Sequence, residues 1–155
     1  MSICLHIGDD ETTVTALPGA VPLSLALGSQ RTATAFFRNA PPTAAELENA
    51  IMAVEDEVTR ARALVAGQTD LWTTDDAVRQ IALLYGAPDA PEMELSIEAV
   101  ERMFDLLAAL VQGRPSSSAG IPSDTSFAAA LLILREFMHH LQFSAIRVLV
   151  GAPTH

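Results

Sequence analysis

The chain has no lysine. Nine arginines are its only permanently charged basic side chains, set against 19 acidic residues, for a formal charge of -10. Without lysine there is no Schiff-base chemistry and no lysine to complete a nucleotide P-loop. The acid excess disfavours partners held by phosphate neutralisation, so neither nucleic acid nor an anionic membrane face is an expected partner. Cysteine is nearly absent too. Cys4 stands alone, which excludes an internal disulfide and any C-x-x-C redox or zinc signature, and it reads as a small buried thiol in a strand. No apolar run reaches the roughly 18 residues needed to span a bilayer. Met1 to Ile7 carries no basic region and runs into Gly8-Asp9-Asp10-Glu11, unlike a signal peptide, so a soluble, cytoplasmic protein is expected.

What is present suits one domain over residues 1–155. Half the residues are apolar, and a chain of this length buries roughly 70% of its unfolded surface without staples. Ser2–Ile7 and Thr12–Leu17, rich in apolar and β-branched residues, predict a hairpin with an acidic tip. Val21–Leu27 predicts a third strand, and the polar stretch Arg31–Arg38 a connecting segment. Pro41-Pro42 stops the extended chain, and Thr43-Ala44-Ala45-Glu46 is a capping box that starts a long helix. A brief apolar step at Leu71-Trp72 precedes a helix capped by Thr74, with Asp75 and Asp76 in its first turn, ending near Gly86. Ser96 caps a third helix whose stripe is Val100, Met103, Phe104, Leu107 and Val111. Gly113–Ser123 is a loop, Phe127–Leu141 a central apolar helix, and Ala145–Val150 a last strand. The order predicts an α/β domain with a mixed, central five-stranded sheet.

Two stretches carry a resemblance. Val21-Pro22-Leu23-Ser24-Leu25-Ala26-Leu27-Gly28-Ser29-Gln30-Arg31, with Phe36-Phe37 and Pro41-Pro42-Thr43-Ala44-Ala45-Glu46-Leu47, resembles a Ser-Leu-Pro-Leu-Gly-x-x-Arg segment and the helix start behind it. Leu95-Ser96-Ile97-Glu98-Ala99-Val100-Glu101, then Gly120-Ile121-Pro122 and Leu132-Ile133-Leu134, is similar to a Leu-Ser-x-Glu-x-Val-Glu helix, a Gly-Leu-Pro loop and a final apolar helix. Both sets, in this order, are those of the exopolyphosphatase and guanosine pentaphosphate phosphatase family. The resemblance implies a ribonuclease-H-like, actin-like ATPase fold, of which this chain corresponds to the second lobe. In that family phosphates and a divalent metal sit between two lobes, and the first supplies a catalytic glutamate.

Two family loops are altered here. His6-Ile7-Gly8-Asp9-Asp10-Glu11-Thr12 stands where the family has Asp-Ile-Gly-Gly-Gly-Ser-Thr, and Asp75-Asp76-Ala77 where it has Gly-Gly-Thr. Glycine turns and helix N-termini bind phosphate through outward N–H groups. Aspartates there would fill those groups from within and repel an anion, at about 1 kcal/mol per like-charge pair at about 4 Å in water and about 4 kcal/mol at a surface-like dielectric. Gly8, Asp9, Asp10, Glu11, Asp75 and Asp76 are thus degenerate phosphate-loop positions, and Arg31 the one shared residue left to contact an anion. Asp9, Asp10, Asp75 and Asp76 are also candidate ligands for Mg²⁺ or Ca²⁺ if the loops face each other. No other cofactor is expected.

The remaining polar groups read more plainly. His6 is a strand histidine or a metal ligand. His139 and His140 point about 100° apart on a helix, so they do not serve one site. Ser116-Ser117-Ser118 lacks a nucleophile elbow. The expectation is a non-catalytic single lobe acting as an interaction or regulatory module, with a protein partner or self-association. The alternatives are a phosphatase subunit completed by another chain's lobe, and a divalent-cation-binding module.

Overall fold

The computed structural model describes residues 1–19, 21–113, 115 and 120–150. Its strands are β1 (Ser2–Ile7), β2 (Thr12–Leu17), β3 (Leu23–Leu25), β4 (Leu71–Thr73), β5 (Glu92–Ser96) and β6 (Ala145–Leu149). Its helices are α1 (Ser29–Phe36), α2 (Ala44–Val58), α3 (Arg62–Val65, behind a 3₁₀ turn at Thr59–Ala61), α4 (Asp76–Tyr85), α5 (Ile97–Val111) and α6 (Thr125–His140). The sheet order is β3-β2-β1-β4-β6-β5. The meander β1-β2-β3 is antiparallel, β4 lies parallel to both β1 and β6, and β5 closes the edge antiparallel to β6.

Alternation decides which face the helices cover. Along β1, Ile3, Leu5 and Ile7 are buried while Ser2 and Cys4 are half-buried and His6 is exposed; Met93 and Leu95 on β5, and Ile146 and Val148 on β6, join the buried set. Against that face lies α6, with eleven buried residues from Phe127 to Met138. A helix apolar nearly all round must be enclosed, and α1, α2, α4 and α5 all pack on it. Phe137 stacks on Phe143 at 5.8 Å between ring centroids, which fixes the turn into β6.

Five departures from the sequence reading have physical causes. The sheet has six strands among the described residues, because Glu92–Ser96 pairs with β6 from Glu92↔Leu149 to Ser96↔Ala145. Its glutamates are exposed, as suits a charged edge that discourages further pairing. The third strand is shorter, Leu23–Leu25. The segment Ser29–Phe36, expected to be a connection, is a helix despite its threonines, because α6 covers Thr32 and Ala33. Asp75, rather than Thr74, is the N-cap residue of α4. Cys4 lies half-exposed on the uncovered sheet face, where partial burial first, and the Asp75 charge second, push its thiol pKa up. Part of the expected Gly113–Ser123 loop, with Ser116, Ser117 and Ser118, lies outside the described residues.

The capping box of α2 is complete: Thr43 N–H donates to Glu46 Oε1 at 2.9 Å, and Glu46 N–H to Thr43 Oγ1 at 3.2 Å. The N–H groups of Thr43 and Arg38 hold the exposed Glu46 carboxyl below its ordinary range. A lowered folded-state pKa contributes stability above the unfolded value, lost as pH falls through the folded one. Thr43→Ala is expected to cost about 1 kcal/mol in urea unfolding, or about 2–4 °C in Tm. Glu46→Gln is expected to lack this part of the wild type's loss of stability on acidification, read from urea midpoints across acidic pH.

Candidate functional site

β1 and β4 run parallel, with Ile3 opposite Leu71 and Cys4 opposite Trp72, so their carboxyl ends emerge side by side. From β1 the chain turns to one side of the sheet, and from β4 to the other. Such a switch point is where open α/β sheets hold ligands. The structure thereby brings together the two loops singled out in the sequence, residues 8–11 and 74–76.

Asp75 joins them. Its carboxylate is buried, with 5% of its side chain exposed. Oδ1 accepts from His6 Nδ1 at 2.5 Å, and Oδ2 accepts the Ile7 backbone N–H at 2.6 Å. Asp75 N–H in turn donates to Thr73 Oγ1 at 3.1 Å. The carboxylate does not cap its own helix. It reaches back 68 residues to the end of β1 and occupies the N–H from which that loop begins.

The hairpin tip is closed by its own backbone. Gly8 N–H donates to Glu11 O at 2.9 Å, and the tip lies on the start of α1. Gly8 O accepts from Ser29 N–H, while Asp9 O accepts from both Gln30 and Arg31 N–H, all within 3.0 Å. Three of the four N–H groups that a helix start leaves unpaired are thus filled by carbonyls. Gly28 makes this approach possible: a Cβ there would sit 2.2 Å from Asp9 O.

The other candidate residues lie around this closure. Asp9 Oδ1 is 3.4 Å from Ser29 Oγ, and Glu11 turns away to accept from Ser24 Oγ at 2.6 Å. Asp10 and Asp76 are exposed, with Asp76 in the first turn of α4. Arg31 Nη1 reaches Asp10 O at 3.4 Å. Burial works against the Glu57 carboxylate nearby. The Ala26 N–H, Arg60 and the charge of Arg31 outweigh it and lower its pKa. Among the described residues, Asp9, Asp10, Asp75 and Asp76 do not gather at metal-ligand spacing. The group that does is Glu55, Glu136 and His140, on α2 and α6. His139 faces Glu101 while His140 faces Glu55 and Glu136, the divergence expected of neighbours on a helix.

The second surface feature is the face of the sheet that no described helix covers. A cavity of about 600 Å³ opens there, lined by Leu17, Pro18, Asp70, Trp72, Arg147 and Leu149 among others. Arg147 is held by Asp70 at 3.0 and 3.1 Å and by Glu92 at 3.0 Å. The Glu92 bond first, then Asp70, raises its pKa against a burial penalty.

Comparison with solved structures decides the architecture. The chain aligns over 96% of its length with the Aquifex aeolicus Ppx/GppA enzyme, at 17% identity and a TM-score of 0.75, and covers 52% of that chain. The type II crystal structure of the Aquifex aeolicus Ppx/GppA phosphatase gives a TM-score of 0.74 at 15% identity, with the same coverage. An exopolyphosphatase-like protein gives 0.69 at 13% identity over 96% of this chain and 54% of its own. The fold is that of one Ppx/GppA lobe. The chain spans about half the length of the Ppx/GppA structures it matches. No family model and no curated protein matches the sequence. Against the expected Ppx/GppA-like architecture, β5 is the strand beyond the predicted five. No helix among the described residues is long and apolar enough to cross a membrane.

Two substitutions test the closure. Gly28→Ala is expected to destabilise by about 3 kcal/mol or more, because backbone, not a flexible side chain, must move. Asp75→Ala leaves the buried Ile7 N–H unpaired and is expected to cost about 1–3 kcal/mol. Urea unfolding of both variants checks these values.

Proposed function

We propose that this chain is a non-catalytic Ppx/GppA-type lobe that works as an interaction module. One observation carries the reading: the Asp75 carboxylate already occupies the Ile7 N–H and the His6 imidazole, at the switch point where an anion would bind. A phosphate there would have to displace a buried negative charge. The carbonyls of Gly8 and Asp9 likewise fill the start of α1, and Arg31 is exposed beside the acidic tip.

The interaction surface in this proposal is the uncovered face of the sheet. Its accessible apolar members Leu17, Pro18 and Leu149 lie around Arg147, which Asp70 and Glu92 hold, while Trp72 in the same lining is buried. The proposed partner is a second copy, sheet against sheet about a two-fold axis. Two sheets stack about 10 Å apart, and a stable pair needs about 800 Å² from each. The charge of -10 opposes association. On the face itself Arg147 offsets part of the charge of Asp70, Glu92 and Glu94, so some of the repulsion falls within the contact.

Two measurements test this reading. The pure chain is expected to release no phosphate from polyphosphate or guanosine pentaphosphate; release that Arg31→Ala abolishes would favour a phosphatase subunit instead. Light scattering is expected to give a dimer that Leu149→Asp converts to a folded monomer, and a wild type that is monomeric at every concentration refutes self-association.

A further inference from the structure

Two acidic side chains are buried among the described residues, Asp75 and Glu136. Asp75 has close donors on both oxygens, and Glu136 does not. Its side chain is 2% exposed, yet the nearest donor is Arg135 Nη1 at 3.4 Å. A charge-assisted bond is about 2.7–2.9 Å long. Arg135 is held elsewhere, with Nε on Glu101 Oε2 at 3.1 Å and its guanidinium over the Phe104 ring at 4.6 Å. With Arg135 at 3.4 Å and His140 at 3.6 Å, the buried Glu136 carboxylate has no close charged donor among the described residues.

A histidine and a second carboxylate converge on this one. His140 Nε2 lies 3.6 Å from Glu136 Oε2, one helical turn on, and 3.8 Å from Glu55 Oε1 on α2. Donor atoms of all three residues fall within 4.8 Å of one another. Around a tetrahedral zinc ion, with bonds of about 2.0–2.2 Å, donors stand about 3.3–3.6 Å apart. Small side-chain adjustments therefore suffice. Imidazole with two carboxylates suits zinc and its transition-metal neighbours, whereas magnesium and calcium prefer an all-oxygen set. His140 also lines a cavity of about 630 Å³ between the end of α6 and residues 62–69, which gives an ion a route in.

We propose that Glu55, Glu136 and His140 bind one zinc-class divalent ion that clamps α2 to α6. Three protein donors leave a fourth position for water. The ion supplies the counter-charge that Glu136 lacks, and the site is separate from the phosphate-loop region.

The test uses the full chain, freed of metal by a chelator and then titrated with zinc chloride. One equivalent is expected to bind, and zinc at about a hundred times its Kd raises Tm by about 5–10 °C. Cobalt(II) in its place is expected to show the visible absorption of a tetrahedral ion. His140→Ala and Glu136→Gln are expected to weaken zinc binding at least tenfold, while His139→Ala and magnesium chloride serve as controls without effect. If Glu136→Gln does not fold, Glu55→Gln on the half-exposed side gives the same reading. No shift with zinc, or an undiminished shift in His140→Ala, overturns the site. Neither result bears on phosphate release or dimerisation.

Discussion

Everything in this lobe depends on enclosing α6. The helix is apolar on nearly every side, so one layer of partners cannot satisfy it. The sheet covers one flank, and α1, α2, α4 and α5 cover the others. A fully buried leucine, phenylalanine or methionine contributes about 1.5–3 kcal/mol, and α6 supplies several. This requirement explains why a threonine-rich segment such as Ser29–Phe36 is helical: its weak propensity matters less than the apolar surface it covers. It also explains the half-open sheet. With the helices gathered around α6 on one side, none of the described elements covers the face that carries Cys4, Trp72 and Arg147.

The same packing sets the chemistry of the switch point. Because β1 and β4 are parallel neighbours, their loops meet, and a single side chain can control both. In this chain that side chain is a carboxylate. Asp75 binds the Ile7 N–H and the His6 imidazole, and its burial makes breaking those bonds costly. The hairpin tip reaches a similar end by a different route, laying backbone carbonyls on the start of α1. Closure is therefore built from one buried side chain and one loop, and the exposed Asp10 and Asp76 add only solvent-screened charge.

Much of this was legible in the sequence. The Thr43 and Ser96 caps, the hairpin, the Leu71-Trp72 step and the central character of residues 127–141 follow from local rules, and the structure keeps them. The half-Ppx/GppA architecture followed from motif order, and the solved structures bear it out. The misses share a cause. β5 has glutamates at alternate positions and is a strand because β6 offers an edge. α1 is a helix because α6 needs covering. Among the site residues, Asp9, Asp10, Asp75 and Asp76 stood out in the sequence, but the bond between Asp75 and His6 had no local signal. The convergence of Glu55, Glu136 and His140 from two helices had no local signal either.

The sequence by itself determined the local elements and the chemical limits: no lysine, an acid excess, and acidic residues at the hairpin tip and at the start of α4. These are properties of neighbouring residues and of composition, which act before any fold exists. Only the tertiary structure decided which aspartate is buried, which loop lies on which helix, and which carboxylates share a histidine. Burial and convergence depend on residues more than 65 positions apart, such as Ile7 and Asp75, and only the packing of the sheet against α6 brings them together.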